Sequence, residues 1–347
     1  MYIYYFKFLN KYYYIWVLNN IYMIENIQDK FTLDEKIEIA YKIKPITLEG
    51  AETDFINLQK IGTNAENMSP RCRTGNNIVD YFTFVERLNT KGKYDVNFYE
   101  FLTHIDEFKQ KKFIGTMIKY YNTTKNKNNT KNEYVVLKEI YNICITAINI
   151  FRPLVAMEIY SKYKPQCVLD FCAGWGGRLI GACALNVPEY IGIDINVGLQ
   201  QHYNKIHDFF SDEERKKKLK VKTQFKMFYE SAVTFDYSKI AYDMVLTSPP
   251  YYFLEKYSNN VIYSSKTEMK DKFYIPVITN SFNHLKENGY YCLNVNEQIY
   301  EDICVKILGN AHQKISLKKS KRQNEYSEYI YIWKKGYKIT HVFIKGN

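Results

Sequence analysis

The sequence predicts an α/β fold, a doubly wound seven-stranded sheet that is mainly parallel with an antiparallel edge hairpin, behind a mostly helical N-terminal region. Three observations predict it. From residue 134 onward, short apolar runs alternate with helical stretches, the order of a parallel sheet covered on both faces. The first of these runs ends at Asp170 and passes through Gly174, Gly176 and Gly177 into a helix, the turn that opens a nucleotide-type crossover. The last two strand signals, over 315–319 and 328–334, lie close enough together for a hairpin.

Residues 1–23 are aromatic and apolar. Lys7 and Lys11 interrupt them, and the uncharged run from Tyr12 to Ile24 is too short to span a bilayer. The stretch lacks the layout of a signal peptide and reads as an N-terminal extension, a packed helix or a piece upstream of a start at Met23 in preference to an interfacial anchor. Residues 24–121 read as mostly helical, with helical spacing over 33–41, and are the expected place for a recognition role. The polar loop 69–77 carries Arg71 and Arg73, which reads either as a phosphate contact or as a solvated loop. NTTKNKNNTKNE, residues 122–133, has no apolar residue and reads as a linker or loop.

The domain expected over 134–347 opens with a helix over 134–150, which Phe151-Arg152-Pro153 breaks. A second helix follows over 154–163, with Pro153 suited to its first turn. Strands are expected over 167–170, 190–194, 221–229, 242–247 and 290–295. Helical stretches are expected after Gly177, Gly198, Ser231 and Lys266.

The chain has 347 residues and a formal charge of +11, which suits a polyanionic partner, although a lysine-rich coding bias gives the same charge. Its seven cysteines are scattered, with no CxxC pair, and read as free thiols in a reducing compartment with no metal site. No other stretch reads as a membrane helix, so the expectation is a soluble intracellular protein.

Two constellations carry chemistry. In VLDFCAGWGGRLIGA, the glycines bring backbone N–H groups close to a ligand at a helix start. Asp194 ends the next strand, where an acid grips ribose hydroxyls. There is no phosphate-gripping G-x-x-x-x-G-K-[ST]. Asp170, in D-x-x-x-G-x-G, repels pyrophosphate and attracts a cationic ligand. S-adenosylmethionine has an ammonium, a sulfonium and a ribose, and no phosphate, and it suits this pattern. The second constellation is Thr247-Ser248-Pro249-Pro250-Tyr251, at the end of the strand expected beside the first. Ser248 Oγ and the Pro249 carbonyl accept hydrogen bonds, the prolines fix that carbonyl's direction, and Tyr251 offers a flat face. Two acceptors beside an aromatic plane suit the exocyclic amine of a nucleobase, whose lone pair they localise for in-line attack on a methyl donor.

Asp170-Phe171-Cys172-Ala173-Gly174-Trp175-Gly176-Gly177 resembles motif I of S-adenosylmethionine-dependent methyltransferases, and Ser248-Pro249-Pro250-Tyr251 resembles the [DNS]-P-P-[YFW] motif IV of the amino-methyltransferases. The resemblance covers about residues 150–335. It implies a Rossmann-like methyltransferase that modifies cytosine N4 or adenine N6 in DNA after base flipping. It implies catalytic roles for Ser248, Pro249, Pro250 and Tyr251. It implies cofactor contacts from Asp170, Phe171, Cys172, Ala173, Gly174, Gly176, Asp194, Ile195 and Glu230, and from Arg152 and Pro153 before the first motif. Cys172 departs from the family's usual Phe and reads as a small buried hydrophobe rather than a nucleophile. Trp175 either covers the cofactor or packs. Arg178 either meets an anionic group of a ligand or is solvated. Recognition falls to residues before 134, to the loop 252–266, or to 297–328 with its basic tongue over 318–326. An RNA base amino-methyltransferase, acting on guanine N2 for example, and a non-catalytic S-adenosylmethionine-binding subunit are the alternatives.

Overall fold

The computed structural model describes residues 28–92, 94–252, 255–256, 263–317 and 328–336. The apolar extension 1–23 and the basic tongue 318–326 lie outside the described residues, as does most of the loop 253–262. The chain divides into two units that alternate along the sequence, and one of the boundaries, between residues 82 and 83, falls inside the helix Asn76–Asn89.

The larger unit contains a seven-stranded sheet. Its strands are β1 (Cys167–Asp170), β2 (Glu189–Ile193), β3 (Gln224–Phe228), β4 (Met244–Thr247), β5 (Tyr290–Val295), β6 (Gln313–Ser316) and β7 (Tyr329–Lys334). Their spatial order is β3-β2-β1-β4-β5-β7-β6. Pairs among β1 to β5 are parallel, while β7 runs antiparallel to both β5 and β6. This is the predicted fold class. The chain moves outward from β1 to β3, then returns to place β4 on the other side of β1, with Val168 opposite Met244. The strand order therefore reverses between β1 and β4, and ligands of open α/β sheets bind at the carboxyl ends of strands at such a point.

The inner strands form because they are apolar throughout. Every residue of β1 and β4 is buried, as parallel strands covered on both faces require. The helix Pro153–Tyr163 starts with proline at its first turn, where the missing N–H costs nothing. It packs closely on Gly177–Leu185. Three expectations shift. The third strand is shorter than 221–229, because Lys220 takes a left-handed conformation and ends the preceding helix Glu213–Leu219. No helix follows Ser231: Thr234 and Phe235 donate back to Ser231 O, and Asp236 caps only a short 3-10 turn, Tyr237–Lys239. The edge strand begins earlier than expected, since its register is set by pairing Gln313 with Ile332 rather than by its own mostly exposed residues.

The same unit contains residues 48–82, which the sequence reading assigned to the N-terminal region. The loop 69–77 is folded onto its neighbours. Asp54 accepts hydrogen bonds from Gly75 N, Asn77 N and Ile78 N at 2.8–3.1 Å, which caps the helix Asn76–Asn89 from a distance in sequence.

The smaller unit is helical and includes residues 83–149. Leu33–Ile43 and Phe98–Thr103 each begin in a capping box, Thr32 with Glu35 and Asn97 with Glu100. Phe98, Phe101, Phe108, Ile140 and Tyr141 form its buried centre. The segment expected as a linker, 122–133, lies within this unit. Asn126 is buried and ties it back on itself, donating to Lys131 O and accepting from Lys131 N. Asn132 then caps the helix Glu133–Cys144.

Candidate functional site

Two loops leave the sheet at the reversal of strand order. The first runs from Asp170 to Gly177. Gly174 and Gly176 have φ of 55° and 78°, the left-handed region that glycine enters without a steric penalty. Gly177 allows a close approach: a Cβ there would stand 1.8 Å from Phe151 O. This packing brings Phe151-Arg152-Pro153 beside the glycine turn, and the Arg178 guanidinium lies 4.9 Å over the Phe151 ring.

Asp194 is tied into the loop. Its carboxylate accepts from Gly174 N at 2.8 Å through Oδ2 and from Asn196 N at 2.9 Å through Oδ1. The side chain is half-buried, and each oxygen keeps a lone pair. Ala173 N donates to Ile193 O, and Tyr203 OH donates to Gly174 O at 2.9 Å, so β2 and the helix Gln200–Ser211 both hold the turn. Ile195 is half-buried beside Asp194, while Glu230 is exposed just past β3. Phe171 and Ala173 are core residues.

Three residues in and next to the loop differ from expectation. Arg178 is neither solvated nor free for an anion: its Nε donates to Asp170 Oδ2 at 2.5 Å, and its Nη2 to Cys172 O and Ala173 O. Asp170 is accordingly not a free carboxylate. It is fully buried, Tyr190 OH donates to the same oxygen at 2.6 Å, and Oδ1 alone lacks a partner. The cause is spacing, since Arg178 sits in the first turn of the helix Gly177–Leu185 and reaches back to the strand end. Cys172 is only half-buried, but burial and the Asp194 and Asp170 carboxylates push its thiol well above the usual value, so it stays protonated. Trp175 is buried and packs. Arg152 donates to Pro70 O at 3.0 Å and Cys72 O at 3.4 Å.

The second loop leaves β4 at Thr247. Ser248 is half-buried and its Oγ donates to Asn294 Oδ1 at 3.1 Å, with Asn294 O further off at 3.4 Å. Pro249 is buried, and Tyr251 OH donates to Asn294 O at 3.2 Å. Tyr252 has φ of 54°, an uncommon conformation for a bulky residue. Tyr274 braces it, with its OH accepting from Tyr252 N at 3.2 Å and donating to Pro250 O.

Asn294 and Tyr274 were absent from the sequence reading. The signal for Asn294 was a lone amide in the apolar strand YYCLNV. Tyr274, one of 34 tyrosines, carries no signal of its own. Among the described residues there is no cluster of His, Cys, Asp or Glu suited to a metal, and no helix long and apolar enough to cross a membrane. A cavity of about 260 Å³ lined by Tyr163, Asp243, Glu287 and Tyr290 sits at the opposite, amino ends of β4 and β5, away from both loops.

No family model matches the chain, and no curated protein does. Solved structures do. TrmN from Thermus thermophilus is 14% identical, with 53% of this chain and 48% of that chain covered and a TM-score of 0.36. An rRNA methylase from Streptococcus thermophilus is 10% identical, with 54% and 99% covered and a TM-score of 0.34. The T. thermophilus 16S rRNA N2 G1207 methyltransferase RsmC, solved with AdoMet and guanosine, is 14% identical, with 55% and 44% covered and a TM-score of 0.34. The chain spans about half the length of TrmN. Likenesses of this degree do not bear on its substrate.

Proposed function

We propose that this chain transfers a methyl group from S-adenosylmethionine to the exocyclic amino group of a nucleobase, cytosine N4 or adenine N6 in DNA. The observation behind the reading is the meeting, at one reversal of strand order, of a glycine turn tied to Asp194 with a Ser248-Pro249-Pro250-Tyr251 tip.

The residues present fit the cofactor. Asp194 keeps a lone pair on each oxygen for ribose hydroxyls, and Gly174 and Gly176 let backbone approach a ligand without a Cβ. Asp170 is buried behind the turn and paired with Arg178, so its part is to fix the shape of the turn through that guanidinium rather than to meet the cofactor. Ile195 and Glu230 stand just past the carboxyl ends of β2 and β3, where they are proposed to meet the adenine part, and Arg152 and Pro153, beside the glycine turn, are proposed to help hold the methionine part. When bound, S-adenosylmethionine supplies an electrophilic sulfonium methyl.

The chain's own part is to hold the amine. Ser248 Oγ and the Pro249 carbonyl accept hydrogen bonds from its two N–H groups, which draws the nitrogen toward tetrahedral geometry and localises its lone pair; one of the two protons departs to solvent once the nitrogen carries the methyl. Tyr251 stacks on the base. Cys172, kept protonated, takes no part as a nucleophile. A base within a duplex has to leave the stack to reach the tip. The net charge of +11 favours a polyanionic partner.

The tip addresses the edge and face of a base and nothing of its sugar. An amine in RNA, such as guanine N2, is therefore the second reading. The test is transfer of labelled methyl to duplex DNA, single-stranded DNA and tRNA, followed by digestion to nucleosides. N4-methylcytosine or N6-methyladenine in DNA is the expected product. Label in tRNA alone supports the second reading. Cofactor binding without label in any substrate overturns both in favour of a non-catalytic subunit.

A further inference from the structure

We propose that Asn294 sets the hydrogen-bond polarity of Ser248, so that the tip reads an amino group and rejects a carbonyl oxygen in the same place. The proposal rests on the nucleobase reading above and names what that pocket selects.

The amide of Asn294 has only one orientation that satisfies its neighbours. Its Nδ2 lies 3.0 Å from Tyr329 O, a carbonyl that can only accept. Nitrogen therefore faces Tyr329, and Oδ1 faces Ser248. Asn294 is 4% exposed and sits on β5, with Ile330 of β7 as its antiparallel partner, so neither water nor a rotamer change competes for the amide.

This decides the Ser248 proton. A serine hydroxyl has one proton to donate and two lone pairs that accept, and it rotates to suit its partners. Both atoms of Asn294 within reach of Ser248 Oγ, Oδ1 and the main-chain O, are acceptors. The proton is committed to Asn294, and the lone pairs are what remain for a ligand. Tyr251 OH likewise spends its proton on Asn294 O. Pro249 and Pro250 have no N–H to offer. An amino group finds acceptors at this edge of the tip. A carbonyl oxygen in its place meets lone pairs and loses its hydrogen bonds on transfer from water.

Asn294 is a positioning residue, acting through Ser248. Its role is read by competition, with the full chain bound to a fluorescent single-stranded oligonucleotide. The competitors are the same oligonucleotide with the amino base and with its carbonyl analogue: uracil for cytosine, hypoxanthine for adenine, xanthine for guanine. Wild type should prefer the amine by about tenfold or more, the scale of one unmade buried hydrogen bond. Asn294→Leu should bring the preference to within about threefold, because the remaining contact to the main-chain O is long and already taken by Tyr251. Asn294→Asp still accepts the Ser248 proton and should keep the preference while binding and transfer weaken. Ser248→Ala should lose it, and adding Asn294→Leu should then change nothing further.

A wild type without preference overturns the proposal, as does a folded Asn294→Leu that keeps it. If Asn294→Leu fails to fold, judged by circular dichroism, the decision passes to the other two variants. Full preference in Ser248→Ala, or its loss in Asn294→Asp, then overturns it. Absence of methyl transfer counts against the reaction and leaves this binding result standing, so the two failures are distinguishable.

Discussion

The Arg178 guanidinium and the Asp170 carboxylate meet at 2.5 Å, Nε to Oδ2, with both side chains shut off from solvent. A motif of this kind with a bare aspartate presents a negative charge to its ligand. Here the charge is balanced from within the chain. Arg178 also holds Cys172 O and Ala173 O, so one guanidinium sets both the charge and the shape of the turn.

Removing that guanidinium should therefore be costly. Arg178→Met leaves a buried carboxylate without its counter-charge and takes a donor from Cys172 O and from Ala173 O, at about 3–5 kcal/mol. The double variant Asp170→Asn with Arg178→Met should recover a large part of the loss, because no unpaired charge remains. Urea denaturation of the three chains checks this. A loss below about 1 kcal/mol for Arg178→Met would mean that water or another group already satisfies Asp170.

Asp194→Ala should weaken S-adenosylmethionine binding by about tenfold or more, since two acceptors for ribose hydroxyls go with the carboxylate. The same change frees Gly174 N and Asn196 N, so some loss of thermal stability accompanies it. Titration calorimetry separates the two effects. Unchanged affinity in a folded variant would remove Asp194 from the cofactor site.

Ser248→Ala and Tyr251→Ala should abolish transfer while leaving cofactor affinity within about threefold of wild type, because the proposed reaction assigns both to the amine and its base. The check pairs the methyl-transfer assay with calorimetry on the same preparations. Near-normal transfer by Tyr251→Ala would end its stacking role and leave its OH···Asn294 O bond as the residue's function.

Much of the sheet beneath the proposed site was legible in the chain itself. Strands such as VLD and MVLT are apolar runs closed by glycine or proline, and such boundaries are local chemistry. What escaped the reading depends on residues far apart. Arg178 read either as meeting an anionic group of a ligand or as solvated, because nothing in GGRLIG tells that its guanidinium reaches back to Asp170. Asn294 gains meaning only when β5 pairs beside β4, with Leu293 opposite Thr247. Residues 48–82 join the sheet unit through contacts such as Gln59 Nε2 with Leu219 O, 160 positions apart, which no local pattern contains.

The helical unit offers a pH test. Lys138 Nζ lies 4.6 Å over the Tyr141 ring and 5.3 Å over the Phe98 ring. Burial, helped by the Arg87 charge, pushes its pKa down to about 7 from the usual 10.5. The sign follows from proton counting. Between those values the unfolded chain binds more protons at Lys138 than the folded one, so stability rises with pH across that window. Below about 7 both states are charged and the cost of burial is felt in full. The two ring faces work the other way, favouring the charged form by about 1 kcal/mol. Lys138→Met keeps the packing of the stem and removes the charge, so it should stabilise the protein at pH 6.5 by about 1–2 kcal/mol and change little near pH 10. Urea midpoints at the two pH values check it. If Lys138→Met instead destabilises at pH 6.5, the rings outweigh burial and the lysine stays charged at neutral pH.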